Sequence, residues 1–124
     1  MASKPVSNTG EILVFTCAGA AHTGQVANRA GVQLRQDKAG ALFCAAAVAA
    51  EIPDKLERAR QAGRRIAIDG CEDDCCRRIL EKSGMPVDLH LRITDLGIEK
   101  QPAKPSLIND TKKVVDHLRD RLGS

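Results

Sequence analysis

Arg65-Ile66-Ala67-Ile68-Asp69-Gly70-Cys71-Glu72-Asp73-Asp74-Cys75-Cys76 runs from a short apolar segment, through a glycine, into a group of carboxylates and thiols. Ile66, Ala67 and Ile68 have the composition of a buried strand, and Gly70 ends it with a residue that tolerates positive φ. Glu72, Asp73 and Asp74 are the acidic residues a helix favours in its first turn, and Cys76, Ile79 and Leu80 continue as an apolar stripe at helical spacing. The stretch reads as strand, turn and helix, with Cys71 on the turn. If the helix begins at or before Cys71, Cys75 lies one turn further along the same face, and two sulfurs can address one atom. Helix N-termini at Cys71 and after Cys17 are expected to lower the thiol pKa values there.

Upstream, Glu11-Ile-Leu-Val-Phe-Thr-Cys17 is a continuous apolar run of the kind covered on both faces in a parallel sheet. A loop of small residues, Ala18 to Gly24, follows it, and Val26, Ala27, Ala30 and Leu34 mark one face of a helix from about Gly24 to Gln36. Ala41-Leu42-Phe43 is a short strand ending at Cys44. Ala45 to Ala50 fits either a close-packed turn or a helix start, and Pro53 suits the opening of a helix that Gly63 closes. Downstream, the thiol-bearing helix ends at Ser83-Gly84, and Asp88 to Thr94 alternates polar and apolar residues as an edge strand does. Asp95-Leu96-Gly97 ends that strand. Residues 100–105 form a proline-bearing crossing, and Val114, Val115, Leu118 and Leu122 stripe a last helix.

Strand and helix alternate four times. The expected fold is α/β, a three-layer, Rossmann-like open sheet of about four parallel strands with helices on both faces. Residues 11–124 form a single domain and residues 1–10 a flexible N-terminus. Such a sheet gathers the carboxyl ends of its strands along one edge, where these folds place ligands. Cys17, Cys44 and Cys71 each follow a strand and reach that edge, and Cys75 joins them from the helix. Four thiolates make a closed tetrahedral site for Zn²⁺, and an iron–sulfur cluster is the alternative. A third chemistry is thiol redox or sulfur and metal transfer, with these thiols cycling through disulfide or persulfide states. Cys76, on the apolar stripe, reads as packing. His22 reads as a loop hydrogen-bonder, Asp69 as a turn residue, and His90 and His117 as structural or solvated.

Composition narrows the partners. Of 124 residues, 2% are aromatic with no Trp or Tyr, and the net charge is +3 and spread along the chain. That leaves neither stacking platforms nor a basic stripe for nucleic acid. No apolar run is long enough to span a bilayer and no signal peptide is present, so a cytoplasmic protein is expected, a monomer or homodimer whose partner is a metal ion, with no membrane. Five cysteines there suit ligands or redox groups better than disulfides. Cys17 is placed like the nucleophile of low-molecular-weight tyrosine phosphatases, but Thr23 stands where their C-x5-R arginine belongs, and nothing would clamp a phosphate dianion. A site closed by four thiolates has no open position for water, so a non-enzymatic role is expected.

Cys17-Ala-Gly-Ala-Ala-His-Thr-Gly-Gln25, Cys44, Ile68-Asp-Gly-Cys-Glu-Asp-Asp-Cys75 and Thr94-Asp-Leu-Gly-Ile-Glu-Lys100 together resemble the DGC-domain family of zinc-binding proteins. The resemblance runs from about residue 11 to residue 100. It implies four chelating cysteines, which map onto Cys17, Cys44, Cys71 and Cys75, with Cys76 an addition to the pattern.

Overall fold

The computed structural model describes residues 10–123. The expected flexible terminus, residues 1–10, lies outside the described residues except for Gly10. Four strands, β1 (Ile12–Thr16), β2 (Ala41–Phe43), β3 (Arg64–Asp69) and β4 (Leu89–Arg92), alternate with five helices, α1 (His22–Gln36), α2 (Ala45–Ala49), α3 (Pro53–Gln61), α4 (Cys75–Lys82) and α5 (Ile108–Leu122). A single 3₁₀ turn, Ile93–Leu96, follows β4. All strand pairs are parallel and the sheet order is β2-β1-β3-β4, so the expected open parallel sheet is present with β4 on its edge.

The apolar runs that mark β1 and β3 are explained by burial on both faces. Val14, Ile66, Ile68 and Leu91 pack with Val26, Ala30 and Leu34 of α1 and with Val114 and Leu118 of α5. Their neighbours Leu13, Phe15, Phe43 and Ala67 point the other way, to Val48, Ala59 and Leu80 of α2, α3 and α4. The core is therefore two layers of aliphatic side chains with the sheet between them. Pro53 sits at the start of α3 as its fixed φ suits, and the Ala45–Ala49 segment is a helix rather than a bare turn. Helix α1 begins at His22, two residues earlier than its apolar face indicated, because Thr23 and Gly24 are buried against the loop that follows β3.

Gly70 differs in its reason from the expectation. It is not among the residues with positive φ, which are Lys38, Glu51 and Asp74 and the glycines 10, 84, 97 and 123. Its missing side chain is what counts. A Cβ on Gly70 would stand 3.0 Å from the Gly24 nitrogen and 3.1 Å from the Thr23 carbonyl carbon, and one on Gly24 would meet the Gly19 oxygen at 2.7 Å. The backbone of the turn after β3 thus lies directly on the first turn of α1, which in turn lies on the loop after β1. Gly24→Ala is expected to destabilise the protein by about 2–3 kcal/mol through overpacking against backbone that cannot yield. Gly84→Ala, with φ +77 and open space around it, is expected to cost only about 1 kcal/mol. Urea unfolding of the two variants tests the contact, and equal losses would contradict it.

Candidate functional site

The strand order creates a switch point. From β1 the chain turns to α1 on one face of the sheet, and from the adjacent β3 it turns to α4 on the other, so the two loops part at the carboxyl ends of neighbouring strands. That is where open α/β sheets bind ligands. Cys17 follows β1, and its N–H donates to the Ile68 carbonyl at 2.9 Å, which carries the β1–β3 pairing one residue beyond the strand. Cys71 follows β3, both sulfur-bearing residues being half-buried, while Cys75 is the exposed first residue of α4. Cys44 ends β2, the neighbour of β1 on the other side, and is exposed at the start of α2. Cys76 is buried in the core with Ala67 and Leu80, as its place on the apolar stripe indicated.

The local structure between Cys71 and Cys75 departs from expectation. Helix α4 begins only at Cys75, so Glu72, Asp73 and Asp74 precede it instead of forming its first turn. Asp74 occupies the left-handed region at φ 50 and its N–H donates to the Cys71 carbonyl at 3.1 Å, closing a tight turn. The end of α4 is capped from a distance. Asp69, the last residue of β3, accepts the Cys76 N–H at 2.7 Å and the Arg77 N–H at 3.2 Å, which satisfies two of the helix's orphan donors. This buried carboxylate places negative charge where the sequence indicated the bare positive end of a helix. Accordingly the Cys75 thiol is not made more acidic. Burial pushes its pKa up, and the charges of Cys17, Asp69, Asp73 and Cys71 push it further in the same direction. Burial, and then Asp69, raises Cys76 as well.

Cys17 and Cys71 are thus each close enough to act on Cys75 electrostatically. Their sulfurs are not drawn into ligand contact, however. Among the described residues the group of three or more potential ligands whose donor atoms lie within 4.8 Å of one another is Asp69, Asp74 and His90, and the cysteines form no such group. The carboxylates of that trio are already occupied. Arg92 grips Asp74 with two bonds, Nε to Oδ1 at 2.9 Å and Nη2 to Oδ2 at 2.6 Å, and Arg77 adds a third at 2.8 Å. His90 Nε2 lies 2.9 Å from Asp69 Oδ2 and 3.5 Å from Asp74 Oδ1. The cluster is an ion-pair hub that ties the turn before α4 to the edge strand β4. The polar residues that make β4 alternate, His90 and Arg92, are the ones that reach it.

Two further groups have partners that the sequence did not show, although His22 keeps the loop-bonding role read from it. Lys100 brings its Nζ to 3.4 Å from Cys71 Sγ and 3.8 Å from Asp73 Oδ2, and the Cys71 sulfur is the foremost cause that raises the pKa of this ammonium. Lys100 had no signal of its own beyond its place in the Thr94–Lys100 stretch. His22 is fully buried. It accepts the Lys104 N–H on Nδ1, so the proton sits on Nε2 and is donated to Asp110 Oδ2 at 2.7 Å. The imidazole therefore fastens the crossing segment and the start of α5 to α1, which is a loop-holding role.

The DGC domain profile matches residues 13–118, most of the chain. The chain belongs to the DGC domain family. It is also 26% identical, over 102 residues that make up 82% of this chain and 78% of the relative, to the anaerobic and virulence modulator AnvM of Pseudomonas aeruginosa. No solved structure matches it. Among the described residues of this DGC domain no helix is long and apolar enough to cross a membrane.

The hub makes a prediction about pH. Hydrogen bonds from Arg92 hold the buried Asp74 carboxyl below its ordinary value. A group whose folded pKa is depressed contributes stability above its unfolded value, about 3.9 for Asp, and that contribution is lost as pH falls toward the folded value. Asp74→Asn is expected to cost roughly 2 kcal/mol at neutral pH. The gap between variant and wild type should close below about pH 4. Urea unfolding at several pH values measures this, and a gap independent of pH would count against it.

Proposed function

We propose that this DGC domain binds a zinc ion through cysteine thiolates at the carboxyl edge of its sheet, with Cys17, Cys71 and Cys75 around the switch point and Cys44 as the fourth ligand. The observation that carries this reading is the delivery of cysteines by the ends of three neighbouring strands, β2, β1 and β3, and by the start of α4, all at one edge. The donor set suits the ion, since soft thiolates favour zinc over hard cations. The electrostatics suit it as well. Burial first, and then Cys17, the nearby carboxylates and Cys71, oppose ionisation of Cys75, and a divalent cation among the sulfurs would offset the part due to charge. In a four-thiolate zinc site the sulfurs lie about 2.3 Å from the metal. Binding therefore requires side-chain rotation, which the exposed Cys44 and Cys75 are free to make.

A site closed by thiolates stores, senses or passes on its metal, and it has no open position for hydrolysis. The relative AnvM carries the name of an anaerobic and virulence modulator, and a regulatory role for this chain is in keeping with that name. A second reading, thiol redox or sulfur transfer without a resident metal, draws support from the ammonium of Lys100 beside the half-buried Cys71. The raised pKa of Cys75 weighs against an activated nucleophile at that position.

Elemental analysis of protein purified without oxygen and without a metal-binding tag, with a free-thiol count, separates the two. About one zinc per chain with most thiols protected is expected. Cys17→Ser, Cys71→Ser and Cys75→Ser should each at least halve the zinc content, and Cys76→Ala should leave it unchanged. Metal-free protein that also fails to take up added zinc, with its cysteines freely reactive, would turn the assignment to thiol chemistry.

A further inference from the structure

We propose that Lys100 is the positioning residue of the thiol site, holding the Cys71 sulfur in place at the sheet edge, and that it thereby tightens the hold on zinc. The proposal rests on the zinc reading above. Cys71 has two polar partners. Its S–H faces Asp73 Oδ2 at 3.6 Å, and its sulfur accepts from Lys100 Nζ at 3.4 Å. The sulfur and Asp73 are thus neighbours at the edge, and a zinc ligand whose sulfur is already held in place loses less freedom on binding. Lys100 touches both, at 3.4 and 3.8 Å. It therefore fixes the sulfur before the metal arrives, and the freedom saved appears as affinity.

The ammonium is also aimed. On one side of Lys100, Ile98 is buried in the core shared by α1 and α5. On the other, the Gln101 carbonyl accepts the His22 N–H at 2.6 Å and Pro102 bridges to Ala21. The backbone that carries Lys100 is thus pinned on both sides, and only its side chain spans the gap to Cys71. A mere surface pair with the exposed Asp73 gives no reason for this anchoring and contributes little in water.

The test measures zinc affinity of the full chain under anaerobic conditions by competition with a chromophoric chelator, beside the thermal midpoint of each metal-free protein. Outer partners of metal ligands typically set affinity by 10–100-fold, and for a half-exposed lysine the lower end applies, so Lys100→Gln is expected to weaken zinc binding about tenfold. Lys100→Arg should recover most of the loss. Lys104→Gln, which removes an equal charge from the same segment, should bind as the wild type does, and the metal-free midpoints of all four proteins should agree. Wild-type affinity in Lys100→Gln, or an equal loss in Lys104→Gln, overturns the role of Lys100 and leaves the zinc reading standing. A wild-type protein that takes up no zinc overturns both.

Discussion

The turn after β3 rests on the first turn of α1 with no side chain between them, and the placement of Cys71 beside the loop that carries Cys17 follows from that contact. Gly70 is needed for it, since a Cβ there would stand 3.0 Å from the Gly24 nitrogen, and Gly24 in turn lets α1 lie on the loop after β1, where a Cβ would meet the Gly19 oxygen at 2.7 Å. With the two loops so close, the residue before Gly70 and the residue after it have fixed tasks. Asp69 is turned toward α4, where it caps the helix, and Cys71 is left at the edge beside the loop that carries Cys17. Asp-Gly-Cys is thus a unit in which each residue type has a separate physical reason.

Charge bears on the chemistry open to such an edge. The carboxylates of Asp69 and Asp73 act on the Cys75 thiol, and Asp73 also accepts from Cys71. Two arginines neutralise Asp74, and the amides of α4 together with His90 use Asp69, so the hub is balanced within itself. At Cys75, burial first and then the charges of Cys17, Asp69, Asp73 and Cys71 oppose ionisation, which disfavours a thiolate nucleophile there. The α4 terminus cannot relieve this, because Asp69 already occupies it. A helix start beside a cysteine is an activating device only when no carboxylate has taken the helix's free amides.

The large features of the fold were legible because they rest on burial. Runs such as Ile12–Thr16 and Ile66–Ile68 are apolar on both faces only if helices cover both faces, and the stripe Val114, Val115, Leu118 fits nothing but an amphipathic helix. The strand order was not legible, since each apolar run looks alike to its neighbours. The start of α4 was misplaced because acidic residues before a helix and acidic residues in its first turn have the same composition, and the distinguishing fact, the left-handed backbone of Asp74, leaves no mark on an Asp. The reason for Gly70 was misjudged likewise, because glycine serves positive φ and close approach equally. Long-range polar partners, His90 and Arg92 with Asp69 and Asp74, Lys100 with Cys71, depend on register between segments that periodicity cannot supply.

Once the structure is in view, the Thr94–Lys100 stretch acquires a physical rationale. The 3₁₀ turn Ile93–Leu96 ends the edge strand with Gly97 in the left-handed region, φ 81, which only a residue without Cβ adopts at little cost. The chain is thereby redirected, Ile98 drops into the core, and two residues later Lys100 stands over the carboxyl edge. The same segment then reaches the start of α1 through Gln101 and Pro102, and His22 and Asp110 join α1 to α5 just beyond it. One short crossing therefore holds the cation nearest Cys71 and the N-terminus of the helix on which Gly70 rests. Any change at the Cys71 sulfur acts, through Lys100, on a segment that is anchored on both sides of that lysine, so no loop has to be ordered to meet it.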